Sequence, residues 1–308
     1  MIHELTKGGV GNQMFQYAFA LLVQKMNGGD GEIFLNGHLH PFSRDKRQHS
    51  LHHFSLTDKT HVCTGLQGCR CLVACALALA KQLGIGGMLK LLRDRSGALA
   101  AYRERLCDAG VYVVGDIYSA PHVRPRGKGA QHHVFGYFQT PEVIRGIEEE
   151  LRAAFTVKTP ASAANNEMLA QIKQDNAVCL HVRRGDYSLY PQLQVCDERY
   201  YREAVRQACE ALSQPVFYVF STGHEDVEWV RNHYRFDADM RYVDLDNPDY
   251  EELRLMMACK HFIISNSTFS WWAAVLSQVA GSAKRVWAPT EWLKGSDVRM
   301  CLDEWTLI

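Results

Sequence analysis

The sequence predicts an α/β protein of two domains, with a parallel sheet in its second half, and three observations support this class. The chain has 308 residues, which is about the length of two ordinary domains. Its first residues read as a strand, a glycine loop and a helix, which is how an α/β unit begins. In the second half, strand and helix patterns alternate about five times, which is typical of a parallel sheet covered by helices.

The first half is the less regular one. "IHELT" predicts a short strand, and "MFQYAFALLVQKM" has the length and apolar character of a helix. The histidine-rich stretch 27–62 reads as loops and short elements, and 66–106 as helix-rich. "GVYVVGDIY" and "HHVFGYFQT" predict strands, and "PEVIRGIEEELRAAF" predicts an amphipathic helix that opens with Pro141.

"TPASAANN", small and polar, marks the best boundary candidate, although a helical pattern follows it at once. We therefore expect domains at 1–158 and 159–308, with a last helix that can pack back on the first domain. The predicted strands of the second half are "AVCLHVRR", "PVFYVFST", "MRYVDL", "HFIISNS" and "KRVWAP". Polar residues follow the first four of them, at the strand ends where such folds bind ligands.

Composition excludes some classes of partner. Lys+Arg and Asp+Glu both number 34, which argues against bulk nucleic-acid binding. The first residues do not read as a signal peptide, and the longest apolar run, "CLVACALALA", is too short to span a bilayer. We therefore expect a cytoplasmic protein.

The segment "HVRRGDY" places two arginines at a strand end. An unpaired buried charge is costly, so each guanidinium needs an anion, from Asp186, from another acid or from a ligand. Arginine matches phosphate bidentately, and Gly185 allows a ligand to approach closely. A network of structural ion pairs remains the alternative.

The segment "SNSTFSWW" gathers hydroxyl and amide side chains where a helix begins. This arrangement favours anion binding, although simple helix capping needs one such residue. "GGVGNQ" is a glycine loop that matches neither the dinucleotide nor the Walker pattern. Asp244 and Asp246 have the spacing of a metal-binding acidic pair, which also arises readily by chance.

These motifs, together with "FGYFQ", "LMMACKH" and "WAPTEW" in the same order, closely resemble the bacterial α-1,2-fucosyltransferases of glycosyltransferase family 11. The resemblance covers the chain from Gly8 to about Trp292. It implies a GT-B-like fold, with two Rossmann-like α/β domains facing across a cleft. It also implies inverting transfer of fucose from GDP-β-L-fucose to O2 of a terminal galactose, with no metal and no cofactor.

The resemblance assigns roles to residues. Arg183 would bind the β-phosphate, His181 would lie near the guanine or its ribose, and Glu252 would read the guanine edge where relatives usually carry aspartate. Relatives also commonly carry two acids directly after "FS", which this chain lacks unless Glu225 and Asp226 replace them. The remaining expected donor-binding residues are Gly11, Asn12, Arg184, Asn266, Ser267, Thr268 and Phe269.

Of the expected catalytic roles, that of the base is the least determined by the sequence. Asp186 is the first candidate, and the equal alternative is that it only orients Arg183 or Arg184. His38 and His40 are candidates for the acceptor pocket. The acceptor would be a galactose-terminated glycan, and a lipid-linked one would bring peripheral membrane association.

Two other functions stay open at this point. One is a non-catalytic sugar-nucleotide or glycan-binding protein, and the other is a protein O-fucosyltransferase.

Overall fold

The computed structural model describes residues 1–37, 49–63, 73, 76–78, 80–84, 102–114, 116–277 and 284–308, without the side chain of Asp186. The chain divides into a first unit, Met1–Thr156, and a second unit, Val157–Ile308. This division falls two residues before the boundary expected from the sequence.

The first unit contains a five-stranded sheet in which all the strands are parallel, in the order β3-β2-β1-β5-β4. The strands are β1 (Ile2–Leu5), β2 (Ile33–Asn36), β3 (Thr60–Cys63), β4 (Val111–Val113) and β5 (His132–Phe135), and the helices are α1 (Val10–Met26), α2 (Arg103–Asp108) and α3 (Glu148–Ala154). Of these helices, α1 lies between β1 and β2, α2 precedes β4, and α3 follows β5.

The predicted opening of an α/β unit is confirmed. β1 leads through the glycine loop into α1, whose apolar residues are buried over most of its length. β2 and β3 are four-residue strands inside the histidine-rich stretch that was expected to hold loops and short elements. The predicted helix-rich segment 66–106 is described only at 73, 76–78, 80–84 and 102–106, so most of it lies outside the described residues.

The prediction of a single helix that opens with Pro141 is wrong, because the chain forms two shorter elements there. A 3-10 turn spans Pro141–Ile144, and α3 begins only at Glu148. Gly146 lies between them with a φ of 77°. This left-handed conformation suits glycine and interrupts a right-handed helix.

The second unit contains a six-stranded parallel sheet in the order β11-β10-β9-β6-β7-β8. The predicted α/β class, with a parallel sheet in each half of the chain, is therefore confirmed. Its strands are β6 (Asn176–His181), β7 (Pro215–Phe220), β8 (Asp239–Tyr242), β9 (His261–Ile263), β10 (Val286–Ala288) and β11 (Thr306–Leu307), and its helices are α4 (Ala163–Gln174), α5 (Glu198–Ala211), α6 (Gly223–His233), α7 (Asp249–Ala258) and α8 (Thr268–Leu276).

Local sequence signals explain where the helices of this unit begin. The Ser162 hydroxyl accepts a hydrogen bond from the Asn165 amide at the start of α4. Asp197 accepts one from the Tyr200 amide at the start of α5, at 3.0 Å. Such caps satisfy amide donors that have no partner inside the helix.

The end of the chain differs from the expectation. The described residues after α8 form β10 and β11, with no closing helix among them. β11 extends the second sheet by pairing with β10.

The parallel sheet fixes where a ligand can bind. β6 is central, with β7 on one side and β9 on the other, so the carboxyl ends of these strands share one edge. No helix in the described part of the chain has both the length and the apolar character needed to cross a bilayer.

Candidate active site

Four polar loops follow β6, β7, β8 and β9 at one edge of the second sheet, as the sequence predicts. The first carries the two arginines, the second joins β7 to α6, the third joins β8 to α7, and the fourth opens α8. A hydrogen bond of 2.9 Å between His181 Nδ1 and Ser265 Oγ ties the first loop to the fourth.

Arg184 is half-buried and contacts two side chains of α6. Its Nε donates to Asp226 Oδ1 at 3.3 Å, and its guanidinium lies 3.5 Å from the ring centre of Trp229. The second carboxylate oxygen of Asp226 accepts a hydrogen bond from the Gly185 amide at 2.9 Å. The acid that pairs with this arginine is therefore Asp226 of α6.

Arg183 takes a different direction from Arg184. Its Nη1 donates to the Thr222 hydroxyl at 3.1 Å, and its guanidinium lies 5.2 Å from the ring centre of Tyr187. Thr222 immediately precedes α6 at the sheet edge. The half-buried Arg183 thus lies among polar groups at the sheet edge, while Arg184 packs against α6.

Three residues that the sequence singles out lie beyond what the structure describes. The backbone of Asp186 belongs to a 3-10 turn, Gly185–Leu189, but its side chain is outside the described part. His38 and His40 fall in the gap at 38–48. Their proposed roles stay predictions.

His181 is a buried, neutral group beneath this edge. Burial, with a smaller contribution from Arg183, lowers the pKa of His181 to about 3. Its ring lies 5.9 Å from that of Phe269, and it shares a hydrogen bond with Ser265. His181 therefore connects β6 to the start of α8 without adding charge at neutral pH.

The start of α8 combines a capping hydrogen bond with contacts among its serine side chains. Ser267 Oγ accepts a hydrogen bond from the Phe269 amide, and Ser270 Oγ lies 3.5 Å from Ser265 Oγ. Thr268 and Phe269 are half-buried in the first turn. A helix start of this kind presents amide groups and the positive end of the helix dipole to an anion.

Asn266 uses its amide within the protein. Nδ2 donates to the carbonyl oxygens of Leu193 and Trp292, at 2.9 and 3.0 Å, and the Asn266 carbonyl accepts from the Tyr187 hydroxyl. These contacts hold the loop before α8 in place. A donor-binding role for the Asn266 side chain stays a prediction.

Glu252 lies in the first turn of α7, in electrostatic range of Arg183. Burial raises the pKa of Glu252 to about 8, the negative charge of Asp249 adds to this effect, and Arg183 opposes it. The Glu252 carboxyl group at the start of α7 is thus mostly protonated at pH 7 and ionises as the pH rises through 8.

Sequence reasoning missed one pair of residues at the same edge. His224 Nδ1 lies 2.6 Å from Asp244 Oδ2, which joins the start of α6 to the loop after β8. The positions of both residues directly after strands were the available signal. Among the described residues there is no cluster of three or more His, Cys, Asp or Glu side chains suited to a metal ion.

The glycine loop of the first unit is a tight turn held by side-chain hydrogen bonds. Gly8 has a φ of 80°, and a Cβ there would lie 2.6 Å from Asn12 Nδ2. Gln13 donates to the Gly8 carbonyl at 2.9 Å and accepts from the Ser50 amide. Gln139 Nε2 donates to Asn12 Oδ1 at 2.9 Å.

Gly11 is buried in the first turn of α1. Side chains of the glycine loop thus make the hydrogen bonds that hold it, with partners inside and outside the loop. The predicted donor contacts of Gly11 and Asn12 stay predictions.

Comparison with known proteins identifies relatives. The model of glycosyl transferase family 11 matches residues 118–306. An α-1,2-colitosyltransferase of Escherichia coli is 30% identical over 184 residues, covering 56% of this chain and 61% of the relative. The O-antigen biosynthesis glycosyltransferase WbnK of the same species is 29% identical over 183 residues, covering 56% of this chain and 59% of the relative.

A mammalian relative also matches. Human galactoside α-(1,2)-fucosyltransferase 1 is 28% identical over 145 residues, covering 42% of this chain and 39% of the relative. The chain thus spans about 60% of the length of the two bacterial relatives.

Proposed function

The chain belongs to glycosyltransferase family 11, and we propose that it is an inverting α-1,2-fucosyltransferase. In this proposal L-fucose moves from GDP-β-L-fucose to O2 of a terminal galactose. Two of the relatives are named as α-1,2-glycosyltransferases, one for colitose and one for fucose. The linkage is therefore the better supported part of the proposal, and the donor sugar is the part that most needs a test.

One observation carries the proposal: the two adjacent arginines have different partners. Arg184 is neutralised by Asp226, whereas Arg183 lies at the sheet edge against Thr222. The His181–Ser265 hydrogen bond joins the Arg183 loop to the α8 start. An arginine and a helix start on neighbouring parallel strands suit a diphosphate.

This arrangement matches the chemistry of the reaction. The bond between fucose C1 and the phosphate oxygen breaks as the acceptor oxygen bonds to C1 from the opposite face. Negative charge then grows on the departing GDP, and preorganised donors stabilise it. Arg183 and the first-turn amides of α8 supply such donors, while His181 and Asn266 hold the two loops in place.

Glu252 is the proposed reader of the guanine base. Guanine presents an N1–H and an N2–H₂ group on one edge, and a carboxylate accepts from both. Glu252 lies in the first turn of α7 in electrostatic range of Arg183, which is consistent with a base bound next to the diphosphate. Its longer side chain takes the place of the aspartate expected from the family resemblance.

The acceptor is proposed to be a surface glycan that ends in galactose. The bacterial relative named for O-antigen biosynthesis favours this class. A lipid-linked form of such a glycan would hold the protein at the inner face of the membrane, and we include this location in the proposal.

The proposal is tested by transfer from GDP-fucose to a panel of β-galactosides, with product mass and NMR assignment of the linkage. A nucleotide-linked colitose donor is assayed in parallel. An α-1,2-fucosylated product supports the proposal. A colitosylated product alone corrects the donor, and tight GDP binding without any transfer favours a sugar-nucleotide-binding protein.

A further inference from the structure

His224 and Asp244 form a hydrogen-bonded pair whose geometry resembles an oriented base. The Nδ1–Oδ2 distance is 2.6 Å, and about 69% of the His224 side chain is exposed, against 26% for Asp244. The more buried carboxylate thus fixes one ring nitrogen, while the His224 side chain as a whole stays largely exposed. A carboxylate that holds Nδ1–H sets the tautomer in which Nε2 accepts a proton.

The backbone around His224 is shaped to place it at the sheet edge. The Gly223 amide donates to the Ser221 carbonyl at 3.1 Å, and Gly223 has a φ of 75°. A residue with a Cβ is strained in this conformation, so the tight turn depends on glycine. The turn brings His224 into the first turn of α6, directly after β7.

The same turn of α6 contacts the arginine loop. Thr222 accepts from Arg183, and Asp226 pairs with Arg184 and with the Gly185 amide. His224 lies between these two residues in the sequence and contacts Asp244 on the neighbouring loop. One short stretch therefore links the arginine loop to the histidine–aspartate pair.

Two different acids serve the arginine loop and the histidine at this edge. Arg184 pairs with Asp226, whereas Asp244 pairs with His224. Asp244 was a candidate for a metal-binding pair with Asp246, and its contact with His224 gives it a different partner.

We infer that His224, oriented by Asp244, accepts the proton of the acceptor hydroxyl during transfer; this inference rests on the proposed function. As the acceptor oxygen bonds to fucose C1, its proton moves to His224 Nε2. The C1–phosphate bond breaks, and GDP leaves with the electron pair. Asp244 stabilises the resulting imidazolium, and solvent later removes the proton.

Charged groups around the ring set the direction of the pH dependence. The hydrogen bond that His224 shares with Asp244, and the negative charge of Asp244, raise the pKa of His224. Desolvation and Arg231 oppose this rise, and Glu228 adds to it. Below the raised pKa the imidazole already carries its proton and cannot accept another. Turnover is therefore expected to rise with pH through the pKa of His224.

The test compares His224→Gln and Asp244→Asn with His233→Gln, a control histidine on the same helix that contacts a backbone carbonyl, Trp229 O, instead of a carboxylate. Turnover of wild type and variants is measured from pH 5.5 to pH 9 with saturating GDP-fucose, and GDP affinity is measured separately. We expect His224→Gln to lower kcat about 100-fold or more and to remove the rising limb of the profile. Asp244→Asn should lower kcat less, and GDP affinity should stay within about twofold of wild type in both.

The outcomes separate the inference from the proposed function. A wild-type protein that makes no fucosylated product overturns the proposed function itself. If wild type turns over and His224→Gln keeps its kcat and rising limb, the inference is wrong, and the same holds if Asp186→Asn removes that limb instead. A profile that falls with pH, or a loss of GDP affinity in His224→Gln, would assign His224 to binding an anion and also overturn the inference.

Discussion

Arg183 and Arg184 are adjacent in sequence, but their contacts predict different effects of mutation, one on activity and the other on stability. Arg183→Ala removes a charge from the proposed diphosphate site and should lower kcat/KM by about 100- to 1,000-fold. Arg184→Ala removes the contacts with Asp226 and Trp229 and should lower the free energy of unfolding by about 1 kcal/mol. Steady-state kinetics and urea unfolding of both variants measure the two effects.

A conservative variant sharpens this comparison. Arg183→Lys keeps the charge but loses the planar fork, so it should recover only part of the activity. Near-wild-type turnover of Arg183→Ala would show that the wrong arginine has been assigned to the diphosphate.

The raised pKa of Glu252 predicts that nucleotide binding depends on pH. This pKa is raised to about 8, so the free protein holds the Glu252 carboxyl group mostly protonated at pH 7. If guanine requires the ionised carboxylate, GDP binding must release a proton below pH 8. GDP affinity should therefore increase as the pH rises from 7 to 9, by about tenfold in all, and then level off.

Calorimetry can detect the released proton directly. At pH 7 the binding enthalpy should vary with the ionisation enthalpy of the buffer in wild type and not in Glu252→Gln. An affinity that is constant from pH 7 to pH 9 in wild type would remove Glu252 from the guanine site.

At the scale of elements, the first turn of α6 supplies the acid that contacts the arginine loop. Asp226 accepts from Gly185 and Arg184, whereas its neighbour Glu225 is exposed. Asp226→Asn should lower the free energy of unfolding by about 1–3 kcal/mol, because it weakens the ion pair and the hold on the Gly185 amide. Glu225→Gln, the matched control, should change it by less than about 0.5 kcal/mol.

The same two variants report on catalysis. Loosening the arginine loop should also lower kcat/KM in Asp226→Asn, and Glu225→Gln should leave it unchanged. Equal losses in both variants would show that the effect comes from the negative charge of the helix start and not from the contacts of Asp226.

The elements also show what the sequence can and cannot predict. Helix starts with a local signal, such as Asp197 at α5, were predictable because the cap and the helix are neighbours in sequence. The break at Gly146 was not, because glycine is tolerated in many helices and only its φ of 77° shows the interruption. The roles of the two arginines were also undetermined, since Asp226 and Thr222 lie about 40 residues further along the chain.

At the scale of the whole molecule, strand order decides which motifs meet. The loop after β6 and the loop after β9 are more than 80 residues apart in sequence, yet β6 and β9 are paired neighbours. The alternation of strands and helices predicted that both loops lie at one edge. It could not predict that β9 lies directly beside β6, on which the contact between His181 and Ser265 depends.

The distribution of charge over the second unit predicts turnover without a divalent metal. The leaving diphosphate needs positive charge, and the proposed sources are Arg183 and the start of α8. Asp244, one of the two acids with metal-pair spacing, is engaged by His224 at 2.6 Å, and a metal at Asp244 would have to displace this contact. EDTA should therefore leave kcat unchanged within about twofold, and added Mg²⁺ or Mn²⁺ should neither raise it nor restore activity to Arg183→Ala. Loss of turnover in EDTA with recovery in Mg²⁺ would instead mean that a metal carries the diphosphate charge, and that the contact between His224 and Asp244 opens when the donor binds.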